Sequence, residues 1–163
     1  MGLLNIFKTK PKTKGAGATL YPDKIILGTV DRIKNSDEVI TANVTVFDAN
    51  VDSEILGKTL RYHLDQSREN LRADDTTERY KDYLKAAGFK TRKEHHKNAL
   101  HMMVSQKDGK IFLEPTINGG TTGKDRGFAN TTDEPIVVDE KVSDKELGDM
   151  MRHCWSKCVC NNA

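Results

Sequence analysis

Three cysteines and a histidine near the carboxyl end are the residues of this chain best suited to holding a metal. Cys154 and Cys158 lie four residues apart on one face of a predicted helix, with His153 and Cys160 beside them. Thiolate sulfur and imidazole nitrogen suit zinc. The same helix face carries the apolar stripe, however, and free cysteine packs as a small hydrophobic residue. We therefore expect buried thiols at Cys154 and Cys158, Cys160 in a frayed tail, and no metal site.

A second group of potential ligands is formed by His95, His96 and His101. Adjacent residues on a helix point apart, and no carboxylate is placed to complete a site with them. The segment at residues 90–97 also carries several like charges, which is typical of a surface element. The sequence therefore predicts a solvated basic face here.

The glycine-rich stretch GGTTGK at residues 119–124 resembles a phosphate-binding loop. That motif needs glycine where Asn118 stands, and Asp125 replaces the hydroxyl residue that would bind magnesium. No helix pattern follows to offer its amino terminus to a phosphate. The chain also has neither a nucleophile-elbow motif nor a distinctive pair of carboxylates. We predict no nucleotide, no cofactor and no catalytic site, so the protein is not expected to be an enzyme.

The charge of the chain bears on nucleic-acid binding. The net charge is only +2 with 31% charged residues, and the first 14 residues carry +4, so the remainder is mildly acidic. The basic start and residues 90–97 are able to contact phosphates. Aromatic residues make up only 6% of the chain and do not interleave with the basic segment, as a stacking platform requires. A single-stranded nucleic-acid-binding module stays as the alternative function.

The elements that position these residues begin with a hairpin. Residues 24–30 are rich in β-branched side chains and apolar residues alternate at 40–46, which predicts two strands joined by a loop at 32–37. Apolar spacing of three and four predicts a helix capped by Asp52 or Ser53. A capping box at Asp75 and Glu78 predicts a second helix that ends at Gly88.

The second half of the chain contains the clearest hairpin, at residues 100–116. Asp108 and Gly109 suit a type I′ turn, and pairing the two lysines that flank them places Val104 opposite Leu113 on a buried face. Residues 118–132 predict a long surface loop and 135–138 a short edge strand. A capping box at Ser143 opens the last and best-defined helix.

These patterns predict an α+β fold with a mainly antiparallel twisted sheet of about five strands and three to four packed helices in a single domain. Residues 8–18 have almost nothing to bury, so residues 1–18 are predicted to be a flexible basic tail and residues 19–163 the domain. No stretch reaches the roughly 20 apolar residues of a membrane span, and no signal peptide is evident. The odd, clustered cysteines indicate a reducing compartment. We expect a cytoplasmic protein.

Two segments carry a family resemblance. Residues 80–116 read YKDYLKAAGFKTRKEHHKNALHMMVSQKDGKIFLEPT, and residues 135–158 read PIVVDEKVSDKELGDMMRHCWSKC. The shared features are a GFKTRK element, a strand, a KDGK turn, a strand ending in EPT, and a Leu-Gly pair early in the last helix. Together they resemble the immunity proteins of bacterial contact-dependent growth inhibition systems.

The resemblance implies a protein that binds the toxin domain delivered by a neighbouring cell and blocks it, protecting the producer. Toxins of such systems are often nucleases that carry the metal site themselves. It further implies a complex of one toxin domain with one immunity protein, in which a toxin β-hairpin adds to the immunity protein's sheet. Strand addition gives affinity through main-chain hydrogen bonds, and side-chain pockets give selectivity. A mildly acidic body suits a basic nuclease.

The predicted long loop is the first place to look for toxin contacts, because an exposed aromatic residue beside polar groups fills a pocket on a partner. Phe128 is equally suited to tethering the loop to the core. The candidate toxin-binding residues on the loop are Thr121, Thr122, Lys124, Arg126, Phe128 and Asn130. Acidic contacts of second choice are Asp48, Asp52, Asp74 and Asp75.

Overall fold

An eight-stranded sheet forms the centre of the protein. The structure, a computed structural model, describes residues 12–34, 38–72 and 76–161. The strands are β1 (Lys14–Leu20), β2 (Lys24–Arg32), β3 (Glu38–Asp48), β4 (Leu100–Lys107), β5 (Lys110–Asn118), β6 (Phe128–Asn130), β7 (Ile136–Asp139) and β8 (Val159–Cys160). Their order is β3-β2-β1-β4-β5-β6, with β7 antiparallel and β8 parallel to β5. The predicted α+β class with a mainly antiparallel sheet is confirmed, and β1, β6 and β8 are additional to the predicted strands.

β1 corrects the prediction of a mobile tail. Lys14–Leu20 forms a buried central strand between β2 and β4, so the prediction is wrong for residues 14–18. The strand was missed because residues 15–19 are small. Small residues are needed here, since the large side chains come from elsewhere: the indole Nε1 of Trp155 donates a hydrogen bond to the carbonyl oxygen of Ala18 at 3.2 Å. Residues 1–11 lie outside the described part of the chain.

Two long helices cover one face of the sheet. The four helices are α1 (Ser53–Gln66), α2 (Thr76–Ala86), α3 (Arg92–His96) and α4 (Asp144–Lys157). α1 and α4 pack on each other through Gly57 and Gly148: a Cβ atom on either glycine would overlap the backbone of the opposing helix, at Asp144 or Ser53. Leucines of both helices, with Met151 and Trp155, then meet the apolar side of β1, β2, β4 and β5. We call this side of the sheet the covered face.

The other side of the sheet, the open face, is only partly covered. α2 packs over β3, and its buried Tyr83 joins Tyr21, Ile26 and Phe89 in a second, smaller apolar cluster. α3 follows directly and lies over the end of the sheet near Ala99. The remainder of this face, toward the β4–β5 turn, has no helix over it among the described residues.

Local signals in the sequence set several of these elements. Asp108 and Gly109 both have positive φ, Lys107 pairs with Lys110 and Val104 with Leu113, so the predicted hairpin register is confirmed. The capping box of Ser143 and Glu146 is present at α4. Gly88 ends α2 with φ +82°, as predicted. Asp75, predicted to cap α2, lies outside the described residues.

Candidate protein-binding surface

The open face carries a groove of about 270 Å³ at the end of the sheet near the β4–β5 turn. It extends across the sheet from Glu38 at the start of β3 to Glu114 on β5, with lining residues on β2, β3, β4 and β5. Its lining residues are Thr13, Arg32, Glu38, Met103, Val104, Ser105, Lys107, Phe112 and Glu114. Met103 and Phe112 are half-buried, so each exposes part of its apolar side chain to solvent on the open face. A concave surface of this composition is suited to receiving side chains of another molecule.

No residue of β1 lines the groove. Side chains alternate between the two faces of a strand, and the alanines of β1 point into the core of the covered face. Gly15 and Gly17 therefore occupy the open-face positions of β1. Both are buried, because Val30 lies against Gly15 and the His101 ring lies against Gly17. The groove is lined instead by Thr13 and by residues of β2, β3, β4 and β5.

The rims of the groove carry charge, and an apolar residue extends it sideways. Arg32 and Glu38 form an ion pair with Nη2 and Oε1 2.7 Å apart. Val137 on β7 pairs with Phe112, so it lies on the same face, and it is 46% exposed. Phe112 and Val137 thus form an apolar strip beside charged groups, an arrangement typical of the centre and rim of a protein interface.

The three histidines at the other end of the open face are enclosed, which corrects the predicted solvated basic face. His95 and His96 are buried. The His95 ring bonds the hydroxyl of Tyr80 through Nδ1 at 2.8 Å and lies 3.2 Å from that of Tyr83 through Nε2. Burial, followed by the charges of His96, His101 and Arg92, lowers the pKa of His95 to about 3. These imidazoles are therefore neutral structural groups at neutral pH.

His101 completes this cluster. Its Nδ1 lies 2.8 Å from the hydroxyl of Thr19, and its ring contacts the open-face side of Gly17, where a Cβ would sit 3.1 Å away. Burial and then His96 lower the pKa of His101 to about 4. We call His95, His96 and His101 the imidazole cluster. The prediction was wrong because these imidazoles are enclosed by aromatic rings that come together only in the folded chain. The rings belong to Tyr80, Tyr83, Phe89 and Phe128.

Phe128 joins the predicted surface loop to the imidazole cluster. Its ring stacks on His101 with centroids 4.5 Å apart and meets His96 edge-on at 5.1 Å. The loop is also anchored by Asn118, whose Nδ2 donates to the carbonyl oxygens of His96 and Ala99. The prediction of an irregular surface loop over residues 118–132 is therefore wrong at both ends, because Asn118 belongs to β5 and residues 128–130 form β6.

The predicted toxin-binding residues fall into separate regions. Thr122, Lys124 and Arg126 are exposed and Thr121 is half-buried, all on the loop between β5 and β6. Asn130 is exposed and pairs with Thr116. Asp48 and Asp52 are exposed as well, but Asp48 ends β3, at the opposite edge of the sheet from β6. Asp74 and Asp75 lie outside the described residues. The structure does not bring the acidic pair and the loop together.

The cysteines behave mainly as core residues. Cys154 is fully buried, as predicted, and the half-buried Cys158 donates from Sγ to the carbonyl oxygen of His101 at 3.1 Å. Cys160 is not in a frayed tail, because it forms β8 and pairs with Asn118 of β5. Within the described ranges, no three or more His, Cys, Asp or Glu residues are grouped so that they could hold a metal ion.

Sequence reasoning missed the groove, although one signal for it is present. The predicted hairpin register turns Met103 and Phe112 away from the buried side of Val104 and Leu113. Large apolar residues on the outward face of a hairpin indicate a second packing surface or a binding surface.

The sequence of this chain matches the model of a known protein family. The family model described as CdiI, CDI immunity protein, matches residues 16–158. The chain belongs to the CDI immunity protein family. No curated protein matches it. In the part of the chain that the structure describes, no helix is long and apolar enough to cross a membrane.

Two solved structures share the fold of this CDI immunity protein family member. One is a protein of unknown function, NMB0488, from Neisseria meningitidis, with 17% identity, a TM-score of 0.78 and coverage of 92% of this chain and 98% of that one. The other is a CdiA-CT/CdiI toxin and immunity complex from Yersinia pseudotuberculosis, with 17% identity, a TM-score of 0.76 and coverage of 91% and 99%.

Proposed function

We propose that this chain neutralises the toxin domain of its cognate contact-dependent growth inhibition system by binding it one to one. The family match over residues 16–158 is the observation that carries the proposal. The similar Yersinia pseudotuberculosis structure, a toxin and immunity complex, supports it. The chain acts as a binding protein and not as an enzyme.

The groove on the open face is the central toxin-binding surface in this proposal. Interface energy concentrates in a few well-packed apolar or aromatic contacts surrounded by polar groups. Phe112, Met103 and Val137 supply the apolar contacts, and the Arg32–Glu38 pair and Lys107 supply the polar surround. A toxin side chain that enters the groove meets the backbone of Val104, whose own side chain packs in the core of the covered face.

Strand addition by a toxin hairpin is the second part of the proposal, and β3 is the edge that fits it. β3 ends the strand order, and its residues 39–47 contain no charged residue and no proline, the usual protections of an exposed edge. A register shift opposite Gly28 and Val30 interrupts its pairing with β2. The regularly paired stretch at residues 44–48, with Val46 48% exposed, is therefore the place for an added strand.

The toxin is proposed to be a metal-dependent nuclease. Beyond the first 14 residues the chain carries a net charge near −2. A nucleic-acid-cleaving domain is commonly basic, and opposite net charge speeds encounter and favours the correct partner. The metal belongs to the toxin in this scheme.

The experiment is a calorimetric titration of this chain with the toxin domain encoded beside it, with nuclease activity assayed before and after. We expect one-to-one binding with a nanomolar Kd and loss of activity. Phe112→Asp should weaken binding at least a hundredfold, because it places a charge at the apolar centre. Ile55→Asp is the control, since it also replaces an apolar side chain by Asp, but Ile55 is 46% exposed on α1 across the sheet. Absence of binding by a folded, active toxin would refute the proposed function.

Hydrogen exchange separates the two modes of contact. If a toxin strand adds to the edge, backbone amides at residues 44–48 gain protection in the complex. Protection confined to β4 and β5 would place the toxin in the groove alone and would remove strand addition at β3 from the scheme.

A further inference from the structure

A cavity of about 370 Å³ lies between α3 and the loop that precedes β6. Lys93, His96 and Lys97 form one wall, and Gly120 and Thr121 form another. We call it the α3-loop cavity. It is separate from the groove, since the two have no lining residue in common.

His96 forms a neutral part of the wall of this cavity. The residue is only 9% exposed, and its Nδ1 is a buried side-chain nitrogen without a hydrogen-bond partner among the described residues. Gly127 lies against the ring, where a Cβ would be 3.1 Å from Cε1. Because Nδ1 is buried, the donors that a ligand meets on this wall are the ammonium groups of Lys93 and Lys97.

The electrostatic surroundings of the α3-loop cavity are positive. Besides Lys93 and Lys97 on its wall, Arg92 and Arg126 are close enough to His96 that their charges, after burial, lower the pKa of its ring. Glu94 is the one carboxylate on the wall among the described residues, and its Oε2 already accepts the backbone N–H of Lys90 at 2.7 Å. An anionic group in this cavity would meet cations with little opposing charge.

The walls are fixed before any partner arrives. Asn118 bonds α3 through the carbonyl oxygen of His96 and bonds the loop through the backbone N–H of Gly120. Gly127 donates to Gly120 across the base of the loop at 3.1 Å. Binding therefore requires little ordering of the backbone, which lowers its entropic cost.

We propose that the α3-loop cavity receives an acidic side chain of the toxin domain. The ammonium groups of Lys93 and Lys97 are donors from which a carboxylate accepts charge-assisted hydrogen bonds. The inference rests on the proposed function and deepens it by assigning a second contact and its chemistry. It also gives a role to Thr121 and Arg126, two of the predicted toxin-binding residues.

A protein carboxylate fits this cavity better than a nucleic-acid strand. The cations surround one cavity and do not form a track along which successive phosphates lie. Phe128 meets the His96 ring but already stacks on His101, so it is not available as a platform for bases. A single buried anion is what the geometry accommodates.

The test measures toxin affinity for Lys93→Glu, Lys97→Glu and the double variant at two salt concentrations. We expect each single change to weaken binding about tenfold and the double change more, with smaller losses at high salt. Lys58→Glu is the matched control, because Lys58 is an exposed lysine of α1 across the sheet. Thermal unfolding of all variants should match that of the unchanged protein, since these side chains are at the surface.

A reciprocal exchange on the toxin identifies the carboxylate. Changing that toxin residue to Lys should raise the toxin's affinity for Lys97→Glu and lower its affinity for the unchanged chain. Unchanged affinity in the double variant, with binding still lost in Phe112→Asp, would overturn this inference and leave the proposed function standing. If the lysine variants lose affinity for a single-stranded oligonucleotide and keep their toxin affinity, the cavity binds nucleic acid. If the unchanged chain does not bind the toxin, both proposals are wrong.

Discussion

The two faces of the sheet differ in how completely they are covered. The covered face is closed by α1 and α4, which approach so closely at Gly57 and Gly148 that only glycine fits. Its core is a continuous apolar cluster that includes fully buried Leu60, Met151 and Trp155. The open face has a smaller apolar cluster, three enclosed imidazoles and a groove open to solvent.

This difference separates stability from recognition. Burial of apolar surface drives folding in proportion to the area removed from water, and most of that area lies on the covered face. The open face exposes Met103, Phe112 and Val137 and buries polar rings in their neutral form. Surfaces that bind are commonly placed on a scaffold stabilised elsewhere, and the following experiments measure how complete that separation is.

Acid should have the largest effect, and it should act first on the open face. Of the four histidines with lowered pKa, three belong to the imidazole cluster, and His63 lies on the covered face. Burial lowers the pKa of His63 to about 4. In the folded protein, the pKa of each of these histidines lies below the value of about 6.5 that it has in the unfolded chain. The stability that depends on the neutral rings is therefore fully present above about pH 6.5 and is lost as the pH falls toward 4. Each of His63, His95 and His101 contributes up to about 2 kcal/mol of that loss at pH 5.

Chemical unfolding at pH 7 and pH 5 measures this loss, and hydrogen exchange locates it. Amides of α3 and β6 should lose protection at a higher pH than those of α1 and α4. Equal loss in both places would show that the two faces unfold as one unit and do not differ in their response to acid.

The same substitution on each face gives the second largest effect. Met151→Ala empties a fully buried site on the covered face and should reduce the free energy of unfolding by about 2–5 kcal/mol. Met103→Ala in the groove should cost far less stability, since Met103 is half-buried, and should instead weaken toxin binding. Urea unfolding and calorimetric titration of both variants provide the four values. A large loss of stability in Met103→Ala would contradict the separation of roles.

Helix contact on the covered face gives the third effect. Gly148→Ala adds a methyl group where the backbone of Ser53 already lies, so α1 and α4 must move apart. We expect about 1–3 kcal/mol of destabilisation with toxin affinity retained wherever the protein is folded. Gly88→Ala is a useful comparison, because a Cβ there meets no atom within 4 Å and only its positive φ is unfavourable.

The capping box of α4 gives the smallest effect. Ser143→Ala removes the side chain that accepts the N–H of Glu146, which should cost about 1 kcal/mol. Ser156→Ala, an exposed serine near the other end of α4, serves as control. A change in toxin affinity in Ser143→Ala would indicate that the covered face also takes part in recognition.

Local and periodic signals made part of the fold predictable. The Asp108-Gly109 turn, the capping box at Ser143 and the stop at Gly88 each depend on a few adjacent residues, and all are present. Helices α1, α2 and α4 followed from apolar spacing. The family resemblance, which rested on residues 80–116 and 135–158, is confirmed by a match over residues 16–158.

Features that depend on distant partners were not predictable. Apart from Leu20 at its end, β1 contains no large apolar residue, so nothing in its own sequence shows that Trp155 will pack against it. His95 and His96 look solvated until Tyr80, Tyr83 and Phe128 are brought around them. The groove likewise requires residues of β2, β3, β4 and β5 to come together. The toxin contacts of Thr121, Thr122, Lys124 and Asn130 stay predictions.

The alternation of side chains along β4 and β5 has a consequence for how such a protein can vary. Met102, Val104 and Leu113 face the core, while Met103 and Phe112 face the groove on the other side of the same two strands. Under the proposed function, a change at Met103 or Phe112 alters the surface that a toxin meets without altering the core. Partner choice and fold stability then depend on alternate residues of one hairpin.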